Sequence, residues 1–183
     1  MVLLRVQPSI REVGSFMAGE DEVIIRKALV RDVPAMARLI NGFAAQEIML
    51  PRSFYQFYQH LRDFTVAEHQ GEVIACGALQ IIWEDQAEIR SLAVAPEWQR
   101  RGVGRRLVKA LLEEAKALGV PSVFALTYQQ AFFKKMGFHV VPHESLPHKI
   151  WGDCLNCPKF PNCDEIAMRI ELNQEDGDEA KSE

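Results

Sequence analysis

Residues 99–104 read Gln-Arg-Arg-Gly-Val-Gly and follow an apolar stretch (Ile89, Leu92, Val94) that stops at Pro96. An amphipathic segment begins immediately after them. A glycine turn that opens a helix aims unpaired backbone N–H groups, and the positive end of the helix dipole, at one point, which suits a pyrophosphate. Glycine permits both close backbone approach and positive φ. The spacing is not that of a dinucleotide-binding loop, because Arg106 or Leu107 stands where a third glycine would be. No Gly-Lys-Ser/Thr follows either, which excludes a Walker loop. Arg100, Arg101, Arg105, Arg106 and Lys109 add positive charge. Several of these must be solvated side chains of the helix, so the backbone is expected to carry the binding.

Cysteine spacing is the second unusual feature. Cys76 lies in an apolar strand and reads as a core residue. The others form Cys154-x2-Cys157-x5-Cys163, with His143 and His148 just upstream. Cys154, Cys157, Cys163 and His148 would supply the three thiolates and one imidazole of a tetrahedral structural zinc site. A reversible disulfide, an iron–sulfur cluster and plain thiols are the alternatives. A permanent disulfide is disfavoured in a reducing compartment.

The loop has further company along the chain. Ser122-Val-Phe-Ala-Leu-Thr127 is an apolar strand at the right distance, and Ala131-Phe-Phe-Lys-Lys-Met-Gly-Phe138 follows it. Together with the Gln-x-x-Gly-x-Gly loop after Val-Ala-Pro, these segments resemble the Gcn5-related N-acetyltransferases over roughly residues 23–172. The resemblance implies acetyl-CoA as co-substrate. Its contacts would fall on Leu92, Ala93 and Val94 and on Gln99, Arg100, Arg101, Gly102, Val103, Gly104 and Arg105. It implies that Glu88 heads a strand that splays to admit the thioester, where a carboxylate can take the proton of an acceptor amine. Many relatives carry a Tyr where this chain has Phe133. A phenyl ring cannot protonate the departing thiolate, so that role passes to Thr127, Tyr128 or water.

One branch fits further. Glu47-Ile-Met-Leu-Pro-Arg-Ser53, Glu88-Ile-Arg-Ser-Leu-Ala-Val94, Phe124-Ala-Leu-Thr127, Phe132-Phe133 and Leu146-Pro147 resemble the acetyltransferase domain of N-acetylglutamate synthases. In that branch an Arg followed by Ser ahead of the second helix grips the substrate carboxylate, which maps here to Arg52 and Ser53. A guanidinium suits this task because it can bind a carboxylate bidentately. Lys159 is the candidate for a second contact near the C-terminus. The implied function is N-acetylation of an amino acid, L-glutamate in arginine biosynthesis. The alternatives are acetylation of another small amine or a protein amine, and a non-catalytic acyl-CoA-binding or redox-sensing module.

These residues need a scaffold, and the remaining pattern supplies one. Strands are expected at Val23–Ala28, Phe64–Glu68, Val73–Ile82, Glu88–Val94, Ser122–Thr127, Phe138–Val141 and Glu165–Leu172. Asp32 reads as an N-cap with Pro34 in the first turn, and Ser53 as the cap of a second helix. A helix over residues 102–118 would bury Val103, Leu107, Ala110, Leu111, Ala115 and Leu118, with Gly119 just past its end. The order gives an α/β fold with a mixed central sheet flanked by helices in a single domain, residues 23–172, including a Cys-rich loop at 143–164. Residues 1–22 form an extension of undecided structure.

Composition agrees with this. The chain of 183 residues has 48% hydrophobic and 25% charged residues, ordinary for a globular protein. No apolar run approaches the ~20 residues of a membrane span. The N-terminus lacks the basic start and long apolar stretch of a signal peptide, so a cytoplasmic protein is expected. The net charge of −4 misleads, because residues 174–183 hold five acids (Glu175, Asp176, Asp178, Glu179, Glu183) against Lys181. Residues 173–183 therefore read as an acidic disordered tail. A near-neutral body argues against nucleic-acid binding. The expected partner is a small amino-acid substrate, with homodimer formation left open.

Overall fold

A computed structural model of the protein describes residues 22–146, 154–157 and 159–172. The expectations for residues 1–21, for the acidic tail and for His148 lie outside the described residues. Seven strands form one sheet: β1 (Ile24–Lys27), β2 (Phe64–His69), β3 (Glu72–Trp83), β4 (Gln86–Val94), β5 (Ser122–Thr127), β6 (His139–Val140) and β7 (Ile166–Glu171). Four helices accompany them: α1 (Val33–Ala44), α2 (Phe54–Gln59), α3 (Val103–Ala117) and α4 (Gln130–Lys135). The strand order is β1-β2-β3-β4-β5-β7-β6. All neighbours are antiparallel except β4 and β5, which are parallel. Among the described residues no helix is long and apolar enough to cross a membrane.

Alternation along the strands divides the core in two. Phe64 and Val66 of β2 and Cys76 and Ala78 of β3 pack on Val33, Met36, Ala37 and Ile40 of α1 and on Phe57 of α2. The opposite face carries Leu79, Ala87, Ile89, Val123, Ala125 and Met168 against α3 and α4. Six residues are too few for an isolated helix, so α2 depends on its anchor. Phe57 is fully buried, with its ring centroid 5.5 Å from that of Phe64. Burying such a side chain contributes roughly 1.5–3 kcal/mol.

Three local expectations change. The buried stripe of α3 is Val103, Leu107, Val108, Leu111, Leu112 and Ala115. Leu118 caps the helix end and is 59% exposed, so Val108 and Leu112 take the places expected for Ala110 and Leu118. Asp32 does not cap α1 with its side chain. Its carboxylate accepts two hydrogen bonds from Arg26, at 2.6 and 3.0 Å, and one from the Leu29 N–H at 2.7 Å. Arg26 bonds Glu68 as well, so one guanidinium ties β1, β2 and the approach to α1 together. The sixth strand is shorter than expected, two residues rather than four.

The register of β4 is the feature that shapes the site. Cys76 pairs with Ala93 and Ala78 with Arg90, so Gly77 alone opposes Ser91 and Leu92. This is a β-bulge, and Ser91 takes the extra position with φ +53°. The bulge sends Leu92 to the α3 face, while Glu88 and Arg90 stay on the α1–α2 face. Gly77 fits closely opposite it: a Cβ there would lie 3.1 Å from Leu92 Cδ1 and 3.3 Å from Leu111 Cδ1, so those side chains would have to give by a few tenths of an ångström. Parallel pairing of β4 with β5 ends at Glu88 and Phe124, so the two strands part beyond that point.

Candidate acetyl-transfer site

Arg52 is fixed from three directions. Asn41, near the end of α1, accepts the Arg52 N–H at 2.9 Å and donates to its C=O at 3.0 Å. The Arg52 Nε donates to Ser91 Oγ at 2.8 Å. Its guanidinium carbon lies 5.7 Å from the Phe64 ring centroid. Ser53 starts α2 in a reciprocal capping box: its Oγ accepts the Gln56 N–H at 3.2 Å, and Gln56 Oε1 accepts the Ser53 N–H at 2.8 Å. That is the reason the helix begins directly after Arg52. The Ser53 hydroxyl is engaged as a cap, and Ser53 does not line the cleft described next.

A cleft of about 300 Å³ opens on the α1–α2 face of the sheet. Arg52, Gln80, Glu88, Arg90, Ser91 and Leu126 line it from one side, and Cys154, Cys157, Phe160 and Cys163 of the late loop line it from another. Glu88 is 4% exposed and stands where β4 and β5 begin to part. Arg90 donates to Gln80 Oε1, and its Nη1 lies 3.7 Å from Glu88 Oε2. The cleft therefore holds two guanidiniums and one buried carboxylate, with that of Arg90 close to it.

Lys159 is engaged elsewhere. Its Nζ donates to the Tyr128 hydroxyl and to Asp164 Oδ1 at 3.0 Å, and the Tyr128 hydroxyl donates to Asp164 Oδ1 at 2.6 Å. The hydrogen bond from Tyr128, then that from Lys159, holds the Asp164 carboxyl below the usual range, and Lys159 is pushed above its own. Burial first, then Asp164, pushes the Tyr128 phenol up, which makes its proton less available to a thiolate. Thr127 is 8% exposed, and its Oγ1 accepts the Gln129 N–H at 2.9 Å, which leaves the hydroxyl proton to point elsewhere. Phe133 is in the core, edge-on to Phe132 and Phe138.

The glycine loop leads from β4 into α3. Gln99 donates from Nε2 to the Val94 C=O at 3.1 Å, which pins the end of the strand. Gly102 is the N-cap of α3 at φ +83°, and Arg100 also has positive φ. The first N–H groups of the fifteen-residue α3 follow, at Val103, Gly104 and Arg105. A Cβ on Gly104 would lie 3.4 Å from Val94 Cγ2 and 3.6 Å from Phe132 Cζ. Arg100, Arg101 and Arg105 are exposed, Arg101 over the Trp98 ring at 5.3 Å. Arg106 donates to the Val23 C=O at 2.6 Å and so serves the fold. Val103 and Ala93 are buried, with Leu92 and Val94 half-buried beside them.

Among the described residues no three His, Cys, Asp or Glu side chains converge into a group that could hold a metal ion. Cys154, Cys157 and Cys163 share the cleft wall without forming such a group. The zinc expectation therefore finds no support from the described residues, and its fourth ligand, His148, lies outside them.

A sequence profile described as the acetyltransferase (GNAT) family matches residues 31–138. The chain belongs to the GNAT family. It is an acetyltransferase of that fold. An uncharacterized N-acetyltransferase of Chlorobaculum tepidum is 44% identical over 147 residues, 80% of this chain and 95% of that protein. An amino-acid acetyltransferase of Mycobacterium tuberculosis is 38% identical over 118 residues, 63% of this chain and 67% of that one. The N-acetylglutamate synthase of Neisseria gonorrhoeae, solved with coenzyme A and N-acetyl-glutamate, superposes with TM-score 0.75 at 30% identity. That match covers 85% of this chain, which spans about a third (36%) of the Neisseria protein.

Arg52 and Glu88, both expected at the site, line the cleft, and Arg90, Gln80 and Ser91, which were not expected there, line it with them, while Asn41 holds the Arg52 backbone. Arg90 and Ser91 were in plain view beside Glu88. The three-residue step from Ile89 to Leu92, where a flat strand needs two, was the trace of the bulge that sets their directions.

Proposed function

We propose that this GNAT enzyme transfers the acetyl group of acetyl-CoA to the α-amino group of an acidic amino acid, with L-glutamate as the acceptor. The observation that carries this reading is the charge set of the cleft: Arg52 and Arg90 with Glu88. A dicarboxylic amino acid brings the complementary set of two carboxylates and one ammonium group. The names of the similar Mycobacterium and Neisseria proteins support the same class.

In this reading the Gln99–Gly104 backbone and the N-terminus of α3 hold the pyrophosphate. The thioester lies where β4 and β5 part. Arg52 holds the α-carboxylate through its planar fork, and Arg90 meets the side-chain carboxylate. Glu88 takes a proton from the ammonium group, directly or through a water. The freed amine attacks the thioester carbonyl, the tetrahedral intermediate collapses, and the thiolate of coenzyme A leaves. A thiolate of pKa ~8.5 leaves with modest help. Water or the Thr127 hydroxyl supplies it, because the Tyr128 proton is committed to Asp164.

The test is thiol release from acetyl-CoA across a panel of amino acids, polyamines and peptides, with the parent and with Arg90→Gln. Glutamate should be preferred by the parent. The variant should lose that preference over glutamine, because an amide no longer competes with a charge-assisted pair. A parent that ignores free amino acids and acetylates polyamines or peptides overturns the reading.

A further inference from the structure

Acetyl transfer makes no use of Cys154, Cys157 or Cys163, yet all three line the same cleft as Arg52 and Glu88. Each is partly exposed. Cys76 is the contrast: it is sealed in the core, and burial pushes its thiol up to about 12. Cys154 opens a 3-10 turn, and the Cys157 N–H donates to the Cys154 C=O at 3.0 Å. A turn closed from i to i+3 keeps its end Cα atoms within about 7 Å. A disulfide spans about 4.4–6.8 Å between Cα atoms. The backbone at this turn thus already holds the two cysteine Cα atoms within the range a disulfide spans. The Cys157 C=O in turn accepts the Phe160 N–H at 3.0 Å, and Phe160 also lines the cleft.

We infer that Cys154 and Cys157 form a reversible disulfide in the wall of the acceptor cleft, so that acceptor binding follows the thiol–disulfide balance of the surroundings. The oxidant is a small-molecule disulfide. One cysteine thiolate attacks it, an S–S bond to the protein forms, and one small thiolate leaves. The second cysteine thiolate attacks that mixed disulfide, the Cys154–Cys157 bond forms, and the second small thiolate leaves. The two protons lost by the cysteines end on the two small thiols, so the protein is oxidised by two electrons and the oxidant reduced by two. The bridge brings the sulfurs to about 2.05 Å. It retracts two side chains from the wall and shifts Phe160 through its hydrogen bond to Cys157. Both cysteines and Phe160 line the cleft of about 300 Å³, so the oxidised enzyme binds its acceptor less well. The glycine loop and α3 are separate from this wall, and acetyl-CoA binding is unaffected. The effect on catalysis rests on the acceptor reading of the cleft; formation of the bridge does not.

The experiment equilibrates the full chain with reduced and oxidised glutathione at several ratios. Each sample is mapped by mass spectrometry and assayed for both substrates. The expected result is a Cys154–Cys157 bridge, an acceptor KM raised about tenfold, an unchanged acetyl-CoA KM, and full reversal by dithiothreitol. In Cys157→Ser the reaction should stop at the mixed disulfide of Cys154 with glutathione, and mass spectrometry should find no bridge to Cys154 within the chain. Three outcomes overturn the proposal: no bridge at the most oxidising ratio, a bridge that uses Cys163 in place of either partner, or a Cys154–Cys157 bridge with acceptor KM unmoved. A parent that acetylates no amino acid sinks the acceptor reading separately, since the bridge is read by mass.

Discussion

Arg52 Nε donates to Ser91 Oγ at 2.8 Å, and Ser91 is the extra residue of the β4 bulge. The contact joins the connection between α1 and α2 to the strand that carries Glu88. One irregularity in the sheet therefore sets the position of the arginine relative to the carboxylate. Asn41 holds the backbone of the same arginine, so its freedom is low before any acceptor arrives. Preorganisation of this kind lowers the ordering cost of binding.

Loss of Arg52 should be felt by the acceptor and not by the cofactor. A charge-assisted, partly desolvated pair contributes roughly 1.5–3 kcal/mol. Arg52→Ala should raise the KM for glutamate about ten- to a hundredfold and leave that for acetyl-CoA almost alone. Arg52→Lys should recover little, because an ammonium cannot both reach Ser91 and offer a planar fork. Steady-state kinetics with each substrate varied in turn decide this, and normal glutamate kinetics in the alanine variant would reject the assignment.

Glu88→Gln keeps the shape of the side chain and removes its basicity. The expected fall in kcat is about 10²-fold, with acetyl-CoA affinity unchanged by calorimetry. Its neighbour Arg90, 3.7 Å away, loses an ionic partner as well. The affinity for acceptor should therefore be measured beside the rate. An unchanged kcat at neutral pH would hand deprotonation to solvent.

Gly102 sits at φ +83° with no atom near the place of a Cβ. Steric room is therefore not the limit, and conformation is. A non-glycine residue held in the left-handed region costs about 1–2 kcal/mol. Gly102→Ala should lower stability to chemical denaturation by that amount and weaken acetyl-CoA, since relaxation of the loop re-aims the first N–H groups of α3. Parent-like stability together with parent-like affinity would mean the loop conformation is not needed.

Asp32 gives a pH-dependent prediction. Hydrogen bonding to Arg26, opposed by burial, holds its carboxyl below the usual range. The native state then binds fewer protons than the unfolded chain at acid pH. The stabilisation is fully present above the unfolded pKa of about 3.9 and is lost as pH falls through the lower folded value. Asp32→Asn should cost roughly 1.5–3 kcal/mol at pH 7. Its gap to the parent should close as urea melts are taken below about pH 4. A gap of constant size down to pH 2 would show that the ion pair is not the source.

Much of this was legible because the sequence states it locally. The Gln99–Gly104 loop, the Ser53 cap, Gly119 and the strand pattern of β5 each depend on near neighbours, and the structure has them where the pattern put them. The less legible residues depend on distant ones. Arg90 is recognisable as a cleft residue only once the register places Gln80 and Glu88 across from each other. Asn41 reads as an ordinary helix residue until the chain returns eleven positions later to be clamped. Lys159 reads as a free basic side chain until the fold brings Tyr128, 31 positions earlier, and Asp164 onto it. Asp32 has the residue type of a cap, but Arg26 on the preceding strand competes for its carboxylate more strongly than a helix N–H does.

The parting of β4 and β5 has a mechanical consequence. Four strands lie on one side of the seam and three on the other. Only three residue pairs stitch them: Gln86 with Ser122, Ala87 with Val123 and Glu88 with Phe124. The sheet is in effect two plates on a short hinge, with the candidate base at the inner corner of the opening. A ligand lodged in that opening, carrying amide groups of its own, would act as a wedge and as a splint. It would fix the angle between the plates and, with it, the distance between the β4 carboxylate and the β5 wall of the cleft. A substrate held in the seam thus bears on the width that its co-substrate meets.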